Sequence, residues 1–335
     1  MTGVAFVVLL VLATAGIMVG SVGVDPATAW KIIGHRIFGS GIVAPDWTRS
    51  QDLIIADARL PRVLLAGVVG AGLALVGTTI QAIVRNPLAG PGILGVSAGA
   101  AAGAVAVLRF GVGGSAVLLP IAAFLGALAA IFVVLGIVRG RGALDPIRLV
   151  LAGVAVSAVL SAVTSLMVLT SPDQGLAGQV LQWTLGGFGG AKWSALWVPA
   201  VALAVGVAVL MPLARRLNLL LAGDENATAL GLDVRRFRFV LIVLCAVLTG
   251  VMVAVSGVIG FIGLMIPHIA RLLVGSDHRR VIPVALLIGA AFAIGTDLVA
   301  RTIMIPRELP VGIITALVGG PYFVWLLRRT GKVGR

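Results

Sequence analysis

Three histidines, one cysteine and twelve carboxylates are the groups in this 335-residue chain that could do acid–base, nucleophilic or metal chemistry. His35, His268 and His278 lie far apart, and no ligand spacing links them to carboxylates. His268 follows Pro267, a setting for a structural role at a helix end. Cys245 sits inside an apolar run and reads as a small buried apolar residue. A single cysteine also excludes a disulfide framework and a thiol metal site. No GxxxxGK[ST] is present, so the chain has no phosphate cradle of its own. GGFGG at 186–190 lacks a preceding strand and a helix start suited to a nucleotide, and reads as a flexible outer turn. No nucleophile–base set stands out. The expectation is a protein that is not an enzyme and holds neither cofactor nor metal.

The remaining chemistry is charge in the wrong solvent. Ion-coupled carriers generally need ionisable groups or polar helix breaks at mid-membrane. Here the interiors of the apolar runs hold no Asp, Glu, Lys or Arg. Asp297 comes closest, at the end of a run, with Arg301 placed at i+4 to pair with it. If such a chain moves a solute, it draws its energy from elsewhere or is a passive pore.

The elements that must position these residues are membrane spans. Apolar residues make up 60% of the chain, charged residues 11%, and the mean hydropathy is +1.15. A soluble domain carries roughly 25% charged residues. The net charge of +13 does not point to nucleic acid, because the cations sit at the ends of apolar runs rather than on one face. Charge-free runs fall at 1–24, 63–84, 86–108, 110–138, 149–172, 193–214, 239–270, 281–296 and 309–327. The first has no convincing secretory signal features and reads as an uncleaved span. The run 239–270 is 32 residues, about 48 Å as helix, too long for one upright crossing. Ser256-Gly257 and Gly260 to Gly263 offer a turn and Pro267 a kink, so it divides in two. The fold class is an all-α polytopic membrane protein, one domain over 1–335, with ten transmembrane helices and an extracytoplasmic segment at 25–58. With both termini cytoplasmic, 16 of the 25 Lys and Arg fall inside, giving +11 inside and +2 outside.

Small residues recur every four positions at Ala66, Gly70, Ala74 and Thr78, at Gly95, Gly99 and Gly103, and at Gly312, Ala316 and Gly320. Such faces let helix backbones approach closely in lipid; packing is favoured over a glycine-lined conduit.

One polar stretch interrupts the C-terminal half: RRLNLLLAGDENATALGLDVRRFR at 215–238, bracketed by arginines and placed on the cytoplasmic side by the cation bias. Gly223 and Gly231 can each end a short helical turn. The segment reads as one or two amphipathic helices whose leucines pack against something, or as an interfacial loop without a partner.

Several stretches together resemble the FecCD/BtuC-type permeases, the membrane subunits of ATP-binding-cassette importers for ferric siderophores, haem and cobalamin. They are ARLPRVLLAGVVGAGLALVGTTIQAIVRNPLAGPGILGVSAGAAAG (58–103), RLVLAGVAVS (148–157), WTLGGF (183–188), NLLLAGDENATALGLDV (218–234), SGVIGFIGLMIPHIARLLVGSDHR (256–279), DLVAR (297–301) and ELPVGIITALVGGPYFVWLL (308–327). The resemblance covers most of the chain beyond residue 58. It implies a prokaryotic plasma-membrane protein and a second permease subunit, identical or a paralogue. It further implies two cytoplasmic ATPases, which bind the ATP and Mg, and an extracytoplasmic substrate-binding protein. The coupling segment maps to Leu219–Asp233, with Leu219, Gly223, Asp224, Ala227, Leu230 and Gly231 on the pattern. Arg59, Arg62 and Arg301 map to arginines that dock the binding protein, where bidentate pairing with carboxylates suits the task. The inner constriction maps to Leu144, Asp145, Pro146 and Ile147. Ser157, Ser161, Thr164 and Ser165 offer a weakly polar path wall suited to a large ligand that must slide. Ferric siderophore is the favoured cargo, with haem and cobalamin as alternatives. A metal-ion ABC permease and an ion-coupled carrier are the competing classes. RNPL, ELPVG and the ten spans argue against the first, and the missing mid-membrane charge against the second.

Overall fold

The computed structural model describes residues 1–20, 23–39, 45–111, 115–138 and 145–330. Among these residues every regular element is helical. Thr48 opens the best-protected stretch. Its hydroxyl accepts from Gln51 N while the Gln51 side chain accepts from Thr48 N, a reciprocal cap that starts α3 (Arg49–Asp52). The chain continues through a π turn (Leu53–Arg59) into α4 (Leu60–Val84). Pro61 lacks the N–H that the preceding turn would bond, and the helix widens just ahead of it.

α4 is the centre of the molecule. It packs against α12 (Val234–Ser256), α13 (Ile262–Val274), α14 (His278–Thr302) and α9 (Trp193–Leu210). Close approach at small residues makes this possible. A Cβ at Gly70 would lie 2.2 Å from Gly289 O, and one at Gly77 would lie 1.8 Å from Gly263 O. Ala66, Ala74 and Thr78 of the same stripe are buried, so this face is a packing surface. The stripe on α5 (Val96–Phe110) behaves alike, Gly99 and Gly103 lying on the backbone of α6 (Ser115–Val138). The third stripe is only partly used. Gly312 of α15 (Val311–Thr330) meets Leu185 O, while Ala316 is exposed and Gly320 faces open space.

Among the described residues six helices are long and apolar enough to cross a membrane, and four shorter apolar helices accompany them: α1 (Thr2–Met18), α5, α13 and α15. The run 239–270 divides where its glycines and length require: α12 ends at Ser256 and α13 begins at Ile262. The run 86–108 does not form one span. Pro87, Pro91 and the neighbouring glycines interrupt it, so residues 86–95 pass through a turn and a 3-10 turn (Pro91–Leu94) before α5 begins. The outer segment contributes α2 (Pro26–Phe38), capped by the Asp25 carboxylate. The rest of the chain supplies α7 (Pro146–Leu169), α8 (Leu176–Leu185) and two short helices, α10 (Ala214–Leu221) and α11 (Asp224–Ala229).

Candidate functional site

The stretch between α9 and α12 folds as two short helices set at an elbow. Gly223, at φ +102°, allows the reversal between α10 and α11, a conformation that a side chain would strain. Ala214, Leu217, Leu220 and Ala227 turn inward, whereas Leu230 is 67% exposed. Leu219 and Leu230 border a groove of about 510 Å³ that is also lined by Phe237, Arg216 and Arg236.

Polar contacts fasten the elbow to three long helices. Asp224 accepts from the buried Arg238 of α12 (Nη2 to Oδ1, 2.9 Å; Nη1 to Oδ2, 3.2 Å). Arg85, just past the end of α4, adds an ion pair at 3.4 Å. Burial pushes the Asp224 pKa up, but the hydrogen bond and charge of Arg238, with the charge of Arg85, outweigh it and hold the carboxyl below its ordinary value. Asn218 of α10 clasps α14: its amide donates to Asp277 Oδ1 at 2.8 Å and its oxygen accepts from His278 N at 3.0 Å. The Asn218 bond and the Arg279 backbone N–H lower the Asp277 pKa to about 2.

The three sequence-selected arginines cluster at the opposite end of α4. Arg62 spans two carboxylates, with Nε and Nη2 on Asp297 (2.8–3.1 Å) and Nη1 on Glu308 (2.9 and 3.1 Å). Arg59 donates to Ile17 O and Met18 O, satisfying carbonyls at the end of α1. Arg301 donates to Gly16 O and lies 3.7 Å from Asp297. Arg59 and Arg301 are 6% and 5% exposed, so their guanidiniums bind α1, α4 and α14 to one another, with Arg62 nearer the surface beside half-exposed Glu308.

The first three residues of GGFGG form a packed junction rather than the flexible turn expected, and only Gly189 and Gly190 lie in an exposed turn. Gly187 N donates to Ser256 O (2.8 Å), Gly186 O accepts from Val311 N (2.9 Å), and Phe188 is buried. The ends of α8 and α12 and the start of α15 meet there. Beside the junction opens a cavity of about 460 Å³ bounded by Arg62, Gln182, Trp183 and Glu308.

Of the residues assigned to the constriction, Leu144 lies outside the described residues. Asp145 and Pro146 start α7: the Asp145 carboxylate accepts from Ile147 N at 2.9 Å and Pro146 takes the first helical position, where its missing N–H costs no bond. Ile147 is exposed. Ser157, Ser161, Thr164 and Ser165 share one side of α7, next to the face formed by Leu149, Ala152, Gly153 and Val156 that packs on the chain. Ser161 and Ser165 are exposed, and the Thr164 hydroxyl donates to Leu160 O.

Sequence reasoning passed over Asn218, Arg85, Arg238 and Glu308. Arg238 carried the one available signal, as the last cation before an uninterrupted apolar run. No group of three or more His, Cys, Asp or Glu able to hold a metal occurs among the described residues.

The chain matches the FecCD transport family over residues 7–329. It is 41% identical to a hemin transport system permease protein of Yersinia pestis, with 98% of this chain and 95% of that protein aligned. It is 37% identical to an Fe(3+) dicitrate transport system permease protein of Escherichia coli, with 97% and 99% aligned. A cobalamin import system permease protein of Halobacterium salinarum is 44% identical over 83% of this chain and 74% of its own. Among solved structures, one described as an inward-facing conformation of a metal-chelate type ABC transporter superposes with a TM-score of 0.85 at 31% identity, covering 98% of both chains. With its apolar helices and its near full-length match, the chain is a multi-pass membrane protein that belongs to the FecCD transport family.

Proposed function

We propose that the chain is the membrane-spanning permease subunit of an ATP-driven importer for a large metal chelate. The observation that carries this reading is the elbow. It stands outside the long helices, turns Leu230 and a leucine-lined groove outward, and is fastened to α4, α12 and α14. A separate ATPase grips Leu219, Leu230 and the flanks of Gly223 and Gly231, and nucleotide-driven closure moves the attached helices as rigid bodies. ATP and Mg are bound by that partner. The six long and four short apolar helices make ten crossings, with both termini and the elbow in the cytoplasm of a prokaryote. A second permease subunit, identical or a paralogue, completes the path along the hydroxyl side of α7. An extracytoplasmic binding protein docks over the Arg62–Glu308 pair, with Arg59 and Arg301 behind it.

The cargo is an iron chelate, a ferric siderophore or haem. This is supported by the hemin and ferric dicitrate permeases, both matched over nearly their whole length. Cobalamin is the second reading, supported by the import permease of Halobacterium salinarum. Reconstitution with the ATPase and binding protein tests the proposal, using radiolabelled ferric hydroxamate, haem and cobalamin. ATP-dependent accumulation of an iron chelate is expected. Accumulation against a gradient by the chain alone, without ATPase, would overturn it.

A further inference from the structure

Gln81, on the last turn of α4, is 4% exposed and uses its whole amide. Its Nε2 donates to Ala89 O and to Leu264 O, both at 3.1 Å, and its oxygen accepts from Arg271. That set of bonds fills the two donors and an acceptor site of a glutamine side chain. Ala89 belongs to the interruption between α4 and α5, and Leu264 to the first turn of α13, just after the interruption between α12 and α13. One side chain therefore joins the two places where helices break. The only non-glycine residues at positive φ among those described mark the same two places, Arg85 at +55° and Phe261 at +66°. Such backbone is held only where its surroundings over-determine it, and it collects at elements that switch. Gln81 also stands one turn before Arg85, the residue through which α4 reaches Asp224 of the elbow at 3.4 Å. The last turn of α4 thus carries both the contact to α11, at Arg85, and the contacts to the two breaks, at Gln81. α5 packs on α7, and α13 on α15.

We propose that Gln81 is a positioning residue that fastens the two breaks into one rigid unit on the end of α4, so that displacement of the elbow reaches α5 and α13 together. This rests on the coupling role of α10–α11 given above. The alternative is a buried glutamine that serves stability alone, and the two roles separate in the ratio of transport to ATP hydrolysis.

The geometry supplies its own rescue. A Cβ at Gly90 would lie 3.5 Å from Leu264 Cβ, and Gly90 has extended backbone (φ −130°, ψ 171°) that any residue adopts. A disulfide needs a Cβ separation of roughly 3.5–4.5 Å, so Gly90→Cys with Leu264→Cys can lock the breaks together. Cys245, the single native thiol, is buried. The test uses the full complex in liposomes and counts radio-iron, presented as haem and as a ferric hydroxamate, taken up per ATP hydrolysed. Gln81→Met should keep ATP turnover and lower that ratio by about tenfold, the scale of a coupling residue. Oxidising the cysteine pair in the Gln81→Met chain should return the ratio to within about twofold of native, and in the otherwise native chain should leave it unchanged. The proposal is overturned if Gln81→Met transports as much per ATP as native, or if turnover and uptake fall in parallel without rescue. It is equally overturned if oxidation of the native-background pair halts uptake until a reductant is added, an arm that decides the matter even where Gln81→Met fails to fold. Failure of the coupling role itself looks different: uptake would then persist when Asp224 is reversed in charge.

Discussion

Arg62 is caught between Asp297 and Glu308, carboxylates that lie 235 and 246 residues away in sequence. Asp297 is almost completely buried and serves Arg62 and Arg301 at once. Removing it leaves buried Arg301 with no carboxylate and Arg62 with Glu308 alone, and breaking a buried pair from one side costs about 3–5 kcal/mol. Asp297→Ala should therefore lower the unfolding midpoint of the purified permease markedly, whereas Glu308→Ala, at a half-exposed partner, should lower it far less. Equal midpoints for the two variants would show that burial does not set the strength of this cluster. Part of the cluster was legible. Asp297 and Arg301 stand at i and i+4 on one helix, and the pair forms. The links from Arg62 to Asp297 and from Arg59 to the end of α1 depend on which helices become neighbours, and no local spacing encodes that.

At the level of elements, glycine and proline marked the chain's corners correctly when read together with length. Gly257 ends α12 and Gly260 precedes α13, and Gly223 and Gly231 bound the short helix α11. Residues 86–95 hold the same signals, two prolines and three glycines, yet they read as part of a span because the run carries no charge. GGFGG misled for the opposite reason. Gly186 is there so that backbones can meet, its Cβ position lying 2.8 Å from Val258 O and 2.9 Å from Ser256 O, a use indistinguishable from flexibility until the neighbouring helix ends are placed. The elbow's fastening makes a graded expectation. Asp224→Asn keeps the side chain's shape but loses its charge against buried Arg238, and should weaken transport per ATP. Asp224→Lys sets a third cation beside Arg238 and Arg85 and should uncouple transport while the protein still inserts and purifies. Gly231→Trp should do the same from the partner's side by blocking the groove. Undiminished uptake by Asp224→Lys and Gly231→Trp would remove the elbow from the mechanism.

Across the whole molecule the helices divide by what covers them. Of the apolar stretch within Arg49–Val84, 83% is buried by the chain itself, against 17% for α7 and 22% for α9. Something other than this chain must therefore cover α7 and α9, and their compositions argue for different covers. α9 exposes Trp197, Val198, Val201 and Val205, and beyond Ser194 near its start it carries no hydroxyl, as suits a face against lipid tails. α7 sets Ser161 and Ser165 among its exposed apolar residues, next to the face that packs on the break before α5. A hydroxyl gains nothing from hydrocarbon, and polar groups within spans concentrate where they face protein or a water-filled path. Single cysteines placed at Ser161 and Ser165 should thus react with a membrane-impermeant maleimide in the assembled transporter, faster in the state open to the reagent, while Val201→Cys and Val205→Cys stay unlabelled. The native thiol at Cys245 is buried and supplies the background. Labelling of α9 at the rate of α7 would mean that the hydroxyls of α7 mark no path, and the side of the molecule along which the chelate passes would have to be sought on another helix.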